Sequence, residues 1–136
     1  MTAYALPSFD TGFVRYYRGW RELRREDLGL LWEHYVLNEI QSRLPQLAVH
    51  YWRDTRGHEV DFVVARRSAS PTAIECKWST LRAPDLSGLT AFRRAHPKGR
   101  NFLVAADVDR PFMRPAGALD VEHVSLANLI DRLRQS

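Results

Sequence analysis

Between residues 47 and 78, three short strand-like runs follow one another with only turn residues between them. They cover residues 47–52, 58–65 and 72–78, rich in Val, Ile, Phe, Tyr and Trp, and the segments 54–57 and 66–71 supply the turns. Turns this short join antiparallel neighbours, because a parallel return needs a crossover of roughly a dozen residues or more. Residues 27–44 form a helix before this meander, with Asp27 as its start signal and Pro45 as its stop. Residues 84–96 form a second helix after it, opened by Pro84 or Asp85 and ended by Pro97-Lys98-Gly99. That helix can carry the chain back to a parallel fourth strand over 101–107, nearly all apolar and therefore buried. Residues 109–117, with two prolines, read as a loop, 119–124 as a fifth strand, and 126–134 as a helix capped by Ser125. Asp10 or Thr11 could cap a short helix over 13–17. The expectation is an α/β protein with an αβββαβ core, a central mixed sheet flanked by helices, and not the strict alternation of a Rossmann fold.

Composition bounds the rest. With 45% hydrophobic residues in a 136-residue chain, one domain can build its own core. The expected division is an N-terminal extension over 1–26, a core over 27–108, and a C-terminal strand and helix over 109–136. Cys76 is the single cysteine, which excludes an internal disulfide and a Cys/His zinc site and suits a reducing cytoplasm. No apolar run approaches the roughly 18 residues of a membrane helix, and Met1 to Pro7 lack the pattern of a secretory signal. A cytoplasmic protein with no membrane partner is expected. The net charge of +4 permits a nucleic-acid partner without demanding one. Of the 20 basic residues, only Lys77 and Lys98 are lysines. An amine at Lys77 can shift its pKa or act as a compact point charge, which a guanidinium cannot.

The chemistry-bearing residues lie on the first helix and on strands two and three. At about 100° per residue, Glu33 falls in the apolar stripe of Val36, Leu37, Ile40 and Leu44. A buried carboxylate there needs a cation or several donors, unless it reaches solvent past the sheet edge. Alternation puts Glu59, Asp61 and Val63 on one face of their strand, and His58, Val60, Phe62 and Val64 on the other. Glu75 and Lys77 likewise share a face opposite Ile74, Cys76 and Trp78. A hairpin centred on Ser68 sets Asp61 across from Glu75 and Glu59 across from Lys77, with Cβ atoms roughly 5 Å apart. Two carboxylates that close repel unless a cation stands between them, and oxygen ligands suit Mg²⁺ or Mn²⁺. The alternative is a solvated face of loosely paired charges.

Asp61 followed by Glu75-Cys76-Lys77 resembles the Asp…Glu-x-Lys signature of the PD-(D/E)XK nuclease superfamily, whose core has the same order of elements, and Glu33 matches a further carboxylate often found there. Val60 stands where the signature's name has proline. A closer resemblance covers most of the chain. Phe9-Asp10-Thr11-Gly12, Gly29-Leu30-Leu31-Trp32-Glu33 with Val36 and Asn38-Glu39, Tyr51-Trp52-Arg53-Asp54, Glu59-Val60-Asp61-Phe62 and Ile74-Glu75-Cys76-Lys77 are similar to the C-terminal domain of unknown function of bacterial and archaeal AAA-type ATPases. The ATPase module that precedes that domain, with its phosphate-binding Gly-Lys-Ser/Thr loop, has no counterpart in this sequence. An excised domain, a truncated product or a stand-alone relative is expected.

The superfamily resemblance implies that Asp61, Glu75 and the carbonyl of Cys76 bind Mg²⁺. It further implies that Lys77 orients or helps deprotonate the attacking water, and that Glu33 holds a water or a second cation. The expected function is hydrolysis of nucleic-acid phosphodiester bonds, with DNA the preferred partner and an AAA-type ATPase module or a second copy of the chain as protein partner. The alternative is a catalytically silent module that binds protein or nucleic acid. Arg66-Arg67, Arg93-Arg94 and Arg21, Arg24 and Arg25 are candidates for tracking phosphates. Arg53 is expected in a surface salt bridge, and the five histidines as packing or surface residues.

Overall fold

The computed structural model describes residues 2–5 and 25–135. In chain order its elements are β1 (Thr2–Ala5), α1 (Arg25–Arg43), β2 (Ala48–Arg53), β3 (Glu59–Ala65), β4 (Thr72–Lys77), α2 (Ser87–Ala95), β5 (Asn101–Ala105), β6 (Phe112–Ala116), β7 (Leu119–Val124) and α3 (Leu126–Gln135). The strands form one mixed sheet in the order β1-β2-β3-β4-β5-β7-β6. β1, β2, β3 and β4 pair antiparallel in turn. β4, β5 and β7 are parallel, and β6 returns antiparallel on β7. The switch from antiparallel to parallel falls where α2 crosses over, as the chain order requires.

Two apolar layers hold the helices to the sheet. Val36, Leu37 and Ile40 of α1, Leu44 just after it, and Leu129, Ile130 and Leu133 of α3 pack on Phe62, Val64, Ile74, Cys76, Phe102 and Val104. On the other face, Leu89 and Phe92 of α2 pack on Trp52, Val60, Val63, Ala73 and Leu103. β5 is buried at all five positions, as expected of a strand with helices on both sides. α2 sits very close to β3: a Cβ on Gly88 would stand 1.8 Å from the Glu59 carbonyl oxygen, so only glycine fits there. Ser125 caps α3, its hydroxyl accepting from the Asn128 N–H at 3.1 Å.

Two expectations are corrected. Residues 112–116 are a strand, not a loop, so the C-terminal part holds two strands and a helix. Pro115 is tolerated because β6 is an edge strand, where a missing N–H need not break a ladder. Gly117, at φ 60°, makes the turn into β7. The extension over 1–26 also contributes to the fold, since residues 2–5 add β1 to the far edge and 25–26 begin α1. The short helix expected over 13–17 lies outside the described residues. Among the described residues no helix is long and apolar enough to cross a membrane.

Candidate functional site

The site is made by an irregularity in β3. β2 and β3 pair as His50–Val63 on one side of it and as Trp52–Val60 on the other, so Tyr51 faces two residues, Asp61 and Phe62. This is a β-bulge, and one extra residue shifts the side-chain phase of the strand by one. The strict alternation expected from the sequence therefore fails. Val60 packs with Val63 in the α2 layer, whereas Phe62 and Val64 face α1 and α3. Asp61 stands at the break.

β3 and β4 pair as Val64–Thr72, Val63–Ala73 and Phe62–Ile74, a hairpin centred on Ser68, which has φ 60°. One step further, Asp61 lies beside Glu75, and there side chains make the cross-strand bonds. The Cys76 N–H donates to Asp61 Oδ2 at 2.8 Å, and the Asp61 N–H reaches Glu75 Oε1 at 3.4 Å. Glu75 is only 6% exposed. Burial, then the Asp61 charge, push its carboxyl up to about 9, with Lys77 opposing. Burial also raises Asp61, against the pull of the Cys76 N–H and Lys77. The two acids thus favour shared protonation over double charge.

The remaining expected residues take distinct places. Glu33 approaches from α1, which covers the Ile74 and Cys76 face. Burial first, then the charges of Asp61 and Glu59, raise Glu33 to about 7, and Lys77 lowers it. Lys77 is half-buried and makes no ion pair among the described residues; its charge acts on Glu33, Asp61, Glu75 and Cys76. Glu59 is exposed and pairs with Arg53 across the strands at 3.2 Å, not with Lys77. The Cys76 thiol is buried and raised well above its ordinary value, chiefly by burial, which leaves it a neutral packing group.

Among the described residues no three His, Cys, Asp or Glu side chains are grouped to cage a metal ion. Mg²⁺ does not require such a cage: it keeps several waters and takes one or two carboxylates plus substrate oxygens. Two neighbouring carboxylates, Asp61 half-buried and Glu75 buried, that resist double ionisation fit that ion in ligand type and in charge. The sequence missed the bulge, because Val60-Asp61-Phe62 reads like any alternating segment. It also missed Asp54, whose Oδ2 meets His58 Nδ1 at 2.7 Å. The Asp54-Thr55-Arg56-Gly57-His58 turn carries that signal, with Gly57 at φ 86°.

The model of the DUF4143 family, described as a domain of unknown function, matches residues 28–118. Among solved structures, the chain is similar to a chain of an assembly described as a refined half-complex from the tetradecameric assembly of Thermococcus gammatolerans McrB AAA+ hexamers with bound McrC. The TM-score is 0.59 at 15% identity, over 80% of this chain and 33% of that one. The chain thus spans about a third of the length of its structural relative, and likeness at this identity speaks for the fold alone. No curated protein matches.

Proposed function

The chain belongs to the DUF4143 family, and from its side chains we propose that it is a Mg²⁺-dependent hydrolase of nucleic-acid phosphodiester bonds, of the PD-(D/E)XK type, acting on DNA in the cytoplasm. The observation that carries this is the part-buried contact between Asp61 and Glu75, two residues from Lys77, at a break in the sheet. Asp61, Glu75 and the carbonyl of Cys76 would hold Mg²⁺ or Mn²⁺. When bound, such an ion lowers the pKa of water and neutralises charge that develops on the phosphoryl oxygens. Lys77 positions the attacking water and steadies negative charge beside the two acids. Glu33, with a carboxyl near 7, can accept or return a proton at neutral pH.

The structural relative comes from an assembly of AAA+ hexamers with bound McrC, and we extend this to an ATPase module as the protein partner. The competing possibility is a silent interaction module. It is favoured by the lack, among the described residues, of a third acid, His or Cys grouped with the pair, because two acids sharing a proton are also stable without metal.

A nicking assay on supercoiled plasmid and on single-stranded DNA, with Mg²⁺ or Mn²⁺, separates the two. Wild type should cut, and Lys77→Ala and Asp61→Asn should each lower the rate by about 10²-fold or more. Cleavage that persists unchanged in Lys77→Ala would place the activity elsewhere. No cleavage of either substrate would leave the silent module.

A further inference from the structure

A second concavity lies near the same end of the sheet. The β2–β3 turn and α2 enclose a depression of about 460 Å³, lined by Asp54, Arg56, His58, Ala91 and Arg94 among others. Asp54 organises it. Its Oδ1 accepts from the N–H groups of Arg56 and His58, at 2.9 Å each, and its Oδ2 meets His58 Nδ1 at 2.7 Å. Burial pushes the Asp54 carboxyl up, but these bonds outweigh it and hold it below the usual carboxylate range. The His58 ring is thereby oriented through Nδ1, which donates to the Asp54 carboxylate.

Two cations complete the lining. Arg56 and Arg94 are exposed, and neither makes an ion pair among the described residues. The contrast with Arg93 is informative: that neighbour has its guanidinium bonded to Asn101 and four backbone carbonyls, so of the pair only Arg94 can serve a ligand. β3 starts at this turn and runs antiparallel to β4, so the depression lies at the end of the sheet that carries Asp61, Glu75 and Lys77.

We propose that this depression is a phosphate subsite, in which Arg56 and Arg94 hold a backbone phosphate of a nucleic-acid strand whose scissile bond lies at Asp61 and Glu75. The assignment rests on the nuclease reading for the position of the scissile bond. Forked guanidinium groups match the paired oxygens of a phosphodiester, and Arg56 and Arg94 line one depression from two different elements. Among the described residues no Phe, Tyr or Trp lines the depression, so it offers a base nothing broad to stack on.

The test is fluorescence anisotropy of a labelled single-stranded DNA with the full chain, in EDTA so that no strand is cut, over a salt series. R56A/R94A should bind about tenfold more weakly than wild type. Its plot of log K against log salt should flatten by about 0.7 for one lost phosphate contact on a single strand. R67A/R134A, which removes the same charge from the β3–β4 turn and from α3, should change neither as much. Equal losses in the two double variants, or no binding by wild type, would overturn the assignment. Binding that depends on Arg56 and Arg94 without any cleavage in Mg²⁺ would keep the phosphate site and remove the nuclease reading. Cleavage with binding unaffected in R56A/R94A would do the reverse.

Discussion

Two ionisable groups are buried against the same sheet, and the fold treats them in opposite ways. Arg93 is 4% exposed, yet each of its five N–H donors has an acceptor: Asn101 Oδ1 and the carbonyls of Pro71, His96, Lys98 and Arg100. Burial draws its pKa down only to about 10, so it stays charged at neutral pH. Glu75 is 6% exposed and lies beside a second carboxylate, with one long N–H contact at 3.4 Å. Its carboxyl is pushed up to about 9. A fully satisfied buried charge ties loops together. A pair of acids left to share a proton holds unfavourable free energy that a cation can relieve, and such pairs mark functional sites more often than structural ones.

The largest effect is expected at the satisfied charge. Arg93→Ala leaves the acceptors around the 97–101 turn without their donors and should destabilise the fold by about 3 kcal/mol or more in urea unfolding. Cleavage per folded molecule should be unchanged. A loss under about 1 kcal/mol would mean that the turn is held by other bonds, and the contrast with Glu75 would weaken.

Removing the unsatisfied acid should act the other way. In the folded protein Glu75 keeps its proton up to about 9, against an ordinary value of 4.5. The folded state therefore binds more protons than the unfolded state between those limits. Its stability is full below about 4.5 and falls as pH rises towards 9. Glu33 adds a smaller fall between 4.5 and about 7. Glu75→Gln should flatten the upper part of this profile, stabilise the metal-free protein by roughly 2 kcal/mol at pH 8, and abolish cleavage. Denaturant melts across pH would show it; a profile identical to wild type would mean that Glu75 is already charged in the folded state.

The smallest effect on stability is expected at Glu33. Glu33→Leu extends the apolar stripe of Val36, Leu37 and Ile40, so it should leave stability unchanged or raise it by up to about 1 kcal/mol, while cleavage is lost. Marked destabilisation together with retained cleavage would make Glu33 a structural residue.

These contrasts also show what a sequence can carry. The hairpin register was legible, because the spacing of two apolar runs about Ser68 leaves one pairing that buries Phe62 and Ile74 together. So was the adjacency of Asp61 and Glu75 that follows from it. The bulge was not, because it arises from how Tyr51 meets two residues of β3, and nothing local in Val60-Asp61-Phe62 departs from alternation. β6 was hidden by Pro115, whose edge position is a property of the whole sheet. Arg93 and Arg94 are neighbours of one type; Arg93 shares the buried face of α2 with Leu89 and Phe92, and Arg94 is exposed. Local pattern thus fixes elements and pairings, while the fate of each charged side chain depends on packing between layers.

The central claim is that Asp61 and Glu75 form a divalent-cation site that becomes doubly charged only when the ion arrives. Titration calorimetry with Mn²⁺ near pH 7.5, repeated in two buffers of different ionisation enthalpy, tests it most directly. The expected result is single-site binding with release of about one proton, since a carboxyl with a pKa near 9 must ionise to bind metal, and loss of that binding in Glu75→Gln. No binding at millimolar Mn²⁺, or equal binding by Glu75→Gln, would contradict it.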